Sequence, residues 1–419
     1  MSFDKAHSAI RVLLSHALHV SRWLRWRATA ALAFCYFVLI ALVERIRTAW
    51  RRRRGERPRL LWGPTALINN KYWSEAMEAR GYESHTCIIV DSAITTREDW
   101  DACRDDFLGG RFSPWLRSYA MFAWAMRHAD VFLFYFNGGY LIGTPLEWHE
   151  FRLLRLAGKK LIFLTFGGDI ALPDHLGEMK EAMLADYPQL VEQAPLIRRR
   201  VLHSLKWSDA TINGGDIGYL PAYDVVWLTQ LGIDCDLWRP DGDDSGSDGS
   251  SQPVVVLHAP NHRQVNGTHH LEEAVKQLRN EGLKVDLRIL EGRPNEEIRL
   301  AMHAADIVAD QFLDPGYGLF PIEAMAVGKP MLTRMSPLPE ELHTESLRRC
   351  PLVDTNPDNL PDQLRRLVTD PHLRRELGEA GREFVLNHHS YAAVGRDWGL
   401  VIEHAWRGAP LPDRLKPPR

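Results

Sequence analysis

The sequence predicts an α/β chain of two doubly wound domains, each a parallel sheet covered by helices on both faces. Three observations carry this. Short apolar runs without alternation recur and break at glycine turns, the pattern of strands buried on both faces. The rhythm stops at a polar segment rich in Gly and Ser, Asp241 to Gln252, and restarts beyond it. At 419 residues the chain is too long for one ordinary core, and two domains with an appendage fit it.

The appendage comes first. From Ala28 to Val43 the chain is uncharged and apolar, slightly shorter than the ~20 residues of a perpendicular span. Trp23, Trp26 and Trp50 flank it, with Arg22, Arg25 and Arg27 before it and Arg45, Arg47 and Arg51 to Arg54 after it. Aromatic rings and snorkelling arginines at both ends suit a headgroup layer. The heavier positive charge on the C-terminal side predicts a membrane protein whose bulk lies at the cytoplasmic face, the inner membrane in a bacterium. A secretory signal would end in small residues, whereas this run ends in Glu44 and Arg45. A buried core helix is disfavoured by the charge at both ends. Spanning and lying in the interface both stay open, because Ala9 to Trp26 is itself amphipathic. Residues 1–57 are assigned to this anchor and its basic flank.

The first domain, 58–240, opens with a strand at Arg59 to Leu61, a Gly63-Pro64 turn, a helix through Tyr72 and Met77, and a strand at Cys87 to Val90. Strands follow at Val131 to Phe136 and at Lys160 to Phe166, the latter running into Gly167-Gly168-Asp169. After the 241–252 connector, a second domain at 253–390 restarts with strand Val254 to His258, a turn through Gly267 and a helix to Arg279. Strands at Val285 to Leu290 and Asp306 to Ala309 complete its readable part, and 391–419 is a terminal helix and tail.

Composition excludes some partners. A formal charge of -3 leaves no basic footprint for nucleic acid. The five cysteines are scattered and never spaced as Cys-x-x-Cys, so they indicate neither a disulfide framework nor a zinc site.

The most specific stretch is Asp314 to Pro330, DPGYGLFPIEAMAVGKP. Gly316 and Gly318 let backbone amides approach a ligand, and Glu323 opens an apolar helix. Helix N-termini bind anions such as pyrophosphate, and an acid there can accept from ribose hydroxyls. Alone, the stretch would equally suit a glycine turn before an ordinary helix, with Glu323 favouring the helix dipole.

This stretch resembles the donor signature of glycosyltransferase family 4, matching at Gly316, Gly318, Leu319, Glu323, Ala324, Met325, Ala326, Gly328 and Pro330. The wider resemblance runs from about Arg59 to the C-terminus and includes His258-Ala259-Pro260 with Gly267-Thr268, Glu291-Gly292 and Gly232-Ile233-Asp234. It implies the GT-B fold, two Rossmann-like domains facing a cleft. It also implies Glu323 on the donor ribose, Gly316, Tyr317, Gly318 and Leu319 around the diphosphate and sugar, and Gly267 in the first glycine turn of the donor domain. Gly292 falls near the base, and Gly63 in a loop facing the donor. Two positions depart from the family. Its first glutamate is here Pro315, with Asp314 the only nearby carboxylate, and its lysine before the first glycine is Asn266. Arg263 is placed to supply the missing charge. Asp169 matches the turn that lines the acceptor cleft; a solvent-facing helix cap is its other reading.

Other signals are weaker. Asp234-Cys235-Asp236 reads as a structural turn rather than a metal clamp, and His269-His270 and His388-His389 as surface pairs. The expected activity is transfer of a hexose from a nucleoside diphosphate sugar to a membrane-associated or glycan acceptor, a lipid or lipid-linked molecule included. Retention at the anomeric carbon and no metal or other cofactor are expected. Candidate catalytic residues are Asp169 and Asp314; the donor set is Gly63, Arg263, Asn266, Gly267, Gly292, Gly316 to Leu319, and Glu323. An inactive GT-B subunit that binds a nucleotide sugar, and a sugar-nucleotide epimerase, are the competing readings.

Overall fold

The computed structural model describes residues 3–91, 95–216, 218–227, 229–240, 252–335 and 345–417. Most of the expected connector, residues 241–251, lies outside them.

The first domain runs α1 (Phe3–Arg53), β1 (Leu60–Trp62), α2 (Asn69–Glu78), β2 (Ser84–Ile88), β3 (Ala102–Cys103), α3 (Pro114–His128) and β4 (Val131–Tyr135). It continues through α4 (Glu150–Leu156), β5 (Lys160–Leu164), α5 (Lys180–Asp186), α6 (Leu190–Trp207), β6 (Ala210–Asn213) and β7 (Val225–Val226). All seven strands are parallel, in the order β3-β2-β1-β4-β5-β6-β7. Phe132, Phe134, Leu161 and Phe163 face one buried layer, and Val131, Leu133, Tyr135 and Ile162 the other. Every side chain of β4 is therefore buried, which is why the strand reads as an unbroken apolar run.

The second domain runs β8 (Val254–His258), α7 (Arg263–Asn266), α8 (Thr268–Asn280), β9 (Val285–Ile289), α9 (Asn295–His303), β10 (Ile307–Ala309) and α10 (Leu319–Ala326). Then come β11 (Met331–Thr333), α11 (Glu345–Arg348), β12 (Val353–Asp354), α12 (Leu360–Thr369), α13 (Pro371–His388) and α14 (Tyr391–Arg407). Its five parallel strands lie in the order β12-β11-β10-β8-β9. Both sheets thus reverse strand order once, between β1 and β4 and between β8 and β10. In open α/β sheets, ligands bind in the crevice beyond the strand ends at that reversal.

Packing does not follow the covalent order. Ile233 and Trp238, which precede the connector, are buried in the core of the second domain, where Arg382 donates to the Trp238 carbonyl at 2.6 Å. In return α14 packs against α2, and its Trp398 meets Trp62 at 4.9 Å and Trp73 at 5.3 Å between ring centroids.

The N-terminal segment differs from expectation. α1 is one continuous helix packed on α3 and α4. Ala30, Phe37, Ile40 and Ala41 belong to the first domain's core, and Phe37 packs edge-on against Phe122 at 5.0 Å. Glu44 is buried and pairs with the buried Lys159 at 3.2 Å, which also reaches Asp130 at 3.3 Å. The helix carries an apolar face that the rest of the domain needs covered. That requirement is invisible from the run itself, since a uniformly apolar stretch does not reveal which stripe packs.

Candidate functional site

The donor motif sits at the β8/β10 reversal. Two loops meet there. His258, at the end of β8, hydrogen-bonds the Ala309 carbonyl through Nδ1 and the Thr268 hydroxyl through Nε2, each at 2.9 Å. Burial holds its pKa down at about 4, so the ring is neutral and fixes the turn. Gly267 has φ +71°, the left-handed geometry that lets α7 end and α8 begin on one residue. Asn266 is buried; its carboxamide accepts from the His262 amide at 3.3 Å and donates to Asp310 at 3.5 Å. Its backbone carbonyl accepts from Phe312 N–H at 3.0 Å. At the family's lysine position this chain therefore has a residue that knits the two loops together.

The second loop carries the glycines. Gly316 has φ +106° and donates to the Arg334 carbonyl at 2.9 Å, while Gly318 caps the start of α10. A helix leaves its first amides without intrahelical acceptors, and those of α10 follow this cap. The helix begins at Leu319, not at Glu323 as the sequence suggested, with Pro321 tolerated in its first turn. Glu323 therefore lies in the second turn, buried, and a role in capping the helix is removed. Tyr317 hydrogen-bonds His389 at 3.2 Å, and His389 reaches the Leu231 carbonyl at 2.7 Å. His389 is thus a buried bridge between the donor loop and the crossover segment, a correction to its reading as a surface histidine.

Carboxyl groups from both domains meet here. Burial, with Asp310 adding repulsion, pushes Glu323 up to about 8. Asp310 and Asp314 are each raised to about 7, by burial first and then by Asp314 and Asp216 respectively. Arg334 opposes the shift at Asp314 and donates to the Leu313 carbonyl at 2.9 Å. From the first domain, Asp169 rises to about 7, again through burial and then Asp216. Asp314 is therefore not the only carboxylate near the vacant family position, since Asp310 stands beside it.

Asp169 is buried rather than solvent-facing. Its two oxygens accept from Phe136 N–H and Phe166 N–H, each at 3.0 Å, and so tie the loops after β4 and β5. Asp216, held by the Thr165 hydroxyl, is a site residue the sequence reading passed over. Its signal was present: Gly214-Gly215-Asp216 repeats Gly167-Gly168-Asp169 after a strand.

Other candidates lie farther from this centre. Arg263 is exposed and paired with Glu291 and with Glu272, the latter at 2.9 Å. Gly292 is exposed beside Glu291, with φ +61°. Gly63 has φ +141°, and a Cβ there would stand 2.0 Å from the Cys87 carbonyl oxygen, so β1 and β2 require glycine for packing. The loop it begins reaches the β4 loop through Thr65 and Asn137 at 3.0 Å. Asp234 caps its own turn, accepting from Asp236 N–H at 2.8 Å. The domains also touch through Asp186, which accepts from Val265 N–H at 3.3 Å, and through Tyr187 and His262.

This arrangement matches known proteins at two levels. Residues 262–384 match the family Glycosyl transferases group 1. The MMP alpha-(1->4)-mannosyltransferase of Mycolicibacterium hassiacum is 23% identical over 51% of this chain and 57% of its own length. The D-inositol 3-phosphate glycosyltransferase of Corynebacterium jeikeium is 35% identical over 27% of each. The chain thus spans about half and about a quarter of these two relatives. Among solved structures, Anabaena HepE in complex with UDP superposes with a TM-score of 0.52, at 15% identity over 82% of this chain and 99% of that one. Sucrose-phosphate synthase from Thermosynechococcus elongatus gives 0.51, at 15% identity over 84% and 100%. The chain is therefore a GT-B protein whose residues 262–384 match the glycosyl transferases group 1.

Proposed function

We propose that the chain is a glycosyltransferase that moves a hexose from a nucleoside diphosphate sugar to a membrane-associated acceptor, with retention and without a metal. The observation that carries this reading is the donor loop and Glu323 at the β8/β10 reversal, with Asp314 beside Asp216 of the first domain. Glu323 accepts from the ribose hydroxyls. The first amides of α10 meet the diphosphate, whose charge grows as the sugar leaves; preorganised donors are what that step needs. Arg334 and Arg263 supply positive charge, Arg263 after exchanging its surface carboxylates for phosphate. Asp310 and Asp314, with pKa values raised to about 7, keep a protonated fraction near neutrality that can donate to sugar hydroxyls where the family has its first glutamate.

HepE was solved with UDP, so UDP-sugars are the first donors to test. Purified protein with membranes and a panel of labelled sugar nucleotides should transfer label to a lipid-extractable product, with the donor's anomeric configuration and unchanged by EDTA. Binding without turnover would establish an inactive subunit instead, and conversion of the donor alone an epimerase. Arg334→Ala and Arg263→Ala should each weaken UDP binding by about 1.5 to 3 kcal/mol, the range for a charge-assisted hydrogen bond. Unchanged calorimetric affinity in either removes that arginine from the site.

A further inference from the structure

The outer face of α1 is not covered by the protein. Leu32, Tyr36, Leu39, Val43, Ile46 and Trp50 are between 47% and 74% exposed and recur every three or four residues as one stripe, with Leu42 at its edge. The opposite stripe, Ala30, Phe37, Ala41, Glu44 and Thr48, is buried in the first domain. A contiguous exposed apolar stripe on a folded domain marks a surface that is covered in use.

Beside the C-terminal half of that stripe lies a cavity of about 490 Å³. Arg47, Arg51, Arg59 and Arg127 line it, with Ile46 and Trp50 from the stripe itself and Glu44 as the one acid in its wall. Arg59 is mostly buried and committed to Asp130 at 3.0 Å, and Arg47, itself largely exposed, reaches the buried Glu44 at 2.8 Å, so the inner wall of the pocket is fixed. The lining arginines pair with Glu44, with Asp130 and, for Arg51, with Glu56 at 3.7 Å, and Lys159 stands behind Glu44 and Asp130; five cations against three acids leave net positive charge for an anion. Shared residues make the cationic pocket and the apolar stripe one continuous surface.

We infer that α1 lies in the plane of an anionic phospholipid bilayer, its exposed stripe among the acyl chains and a lipid phosphate in the arginine pocket. The chemistry fits one occupant: a phosphate joined to apolar chains satisfies pocket and stripe together. A span is incompatible with the packing. Crossing the bilayer with residues 28–43 would strip Phe37, Ile40 and Ala41 from α3 and α4 and separate Glu44 from the buried Lys159. This inference stands apart from the proposed transfer reaction, because it rests on no residue of the donor site.

Vesicle flotation of the full chain tests it, with phosphatidylcholine alone and with phosphatidylcholine containing phosphatidylglycerol. Binding to the anionic vesicles is expected to be at least tenfold tighter. Leu39→Glu with Ile46→Glu should abolish it, and Arg47→Gln with Arg127→Gln should weaken it by about fivefold per charge removed. Melting curves should show that both variants remain folded. A fluorophore on Cys35, the exposed cysteine of α1, should be quenched by bromines high on the lipid chains; quenching from the bilayer centre would establish a span and overturn the inference, even if a variant misfolds. Equal binding to both vesicle types, which both carry lipid phosphates, would show that net anionic charge is not recognised and would overturn the inference of an anionic bilayer. Absent vesicle binding with concentration-dependent dimers in sedimentation would show that a second copy covers the stripe, and would overturn it too.

Discussion

Glu323 sits in surroundings that oppose its ionisation, buried and next to Asp310, with its pKa pushed up to about 8. The native protein therefore keeps a proton there that the unfolded chain releases near pH 4.5. Stability from this group is complete below that pH and is lost as pH rises toward 8, so the sign is opposite to that of a salt-bridged acid. In Glu323→Gln this loss is absent. Wild type should lose on the order of 2 to 4 kcal/mol relative to the variant between pH 5 and 9, read from urea unfolding at each pH. Equal pH profiles would show that Glu323 ionises normally. Ribose hydroxyls donate to a carboxylate, so wild-type affinity for UDP should rise as pH passes through about 8, while the variant binds more weakly and without that rise. A protein that loses turnover but keeps UDP affinity would instead place Glu323 at the reacting centre. Glu323 was legible in sequence because its motif has fixed spacing. Asp216 left a trace in its repeated Gly-Gly-Asp turn, but its place in the site, like that of Asp310, comes from two loops and two domains brought together.

At the scale of elements, short-range pattern served the sheet well and the packing poorly. β8, an apolar run, was readable to the residue, and β9, which alternates apolar and charged residues, nearly so, each ending before a turn. β3, β7 and β12 are two residues long, too short to carry periodicity, and exist because neighbouring strands offer them partners. The turn after β1 was read as facing the donor, yet its glycine is fixed by the Cys87 carbonyl. Gly63→Ala should accordingly destabilise the first domain by at least about 2 kcal/mol through clash and strained φ, with UDP affinity unchanged in the folded fraction. Thermal unfolding at wild-type Tm would mean that β1 and β2 can separate at no cost. For α1 the sequence suggested an anchor and basic flank rather than a core helix. Its buried stripe predicts otherwise: a chain beginning at Arg57 exposes Phe122 and leaves Lys159 with Asp130 but without Glu44. It should aggregate or melt earlier than the full chain, and an unchanged melting curve would return α1 to the status of an appendage.

At the scale of the molecule, the chain crosses between domains twice, and each crossing places a core residue in the domain it does not belong to by sequence. Ile233 and Trp238 complete the second domain before the connector, and α14 completes the first after it. Trp398 is fully buried among Trp62, Trp73 and Trp227, so replacing it with alanine leaves a large cavity and should cost about 3 to 5 kcal/mol. The exchange also predicts which fragments fold. Residues 231–390 contain their own sheet and both residues that close its core, and should unfold cooperatively in urea. Residues 1–240 retain a complete seven-stranded sheet yet lack the helix over α2. They should fold cooperatively only when 391–417 is fused through a flexible linker. Should 1–240 alone give a cooperative transition of the same midpoint as the fusion, α14 would be a passive tether. If only the fusion folds, the C-terminal helix is a structural member of the first domain, and movement of one domain against the other has to pass through the short crossover at His389 and Ser390, where Ile233 bridges to Ser390. That crossover contacts Tyr317 of the donor loop, so domain movement and the donor loop share a hinge.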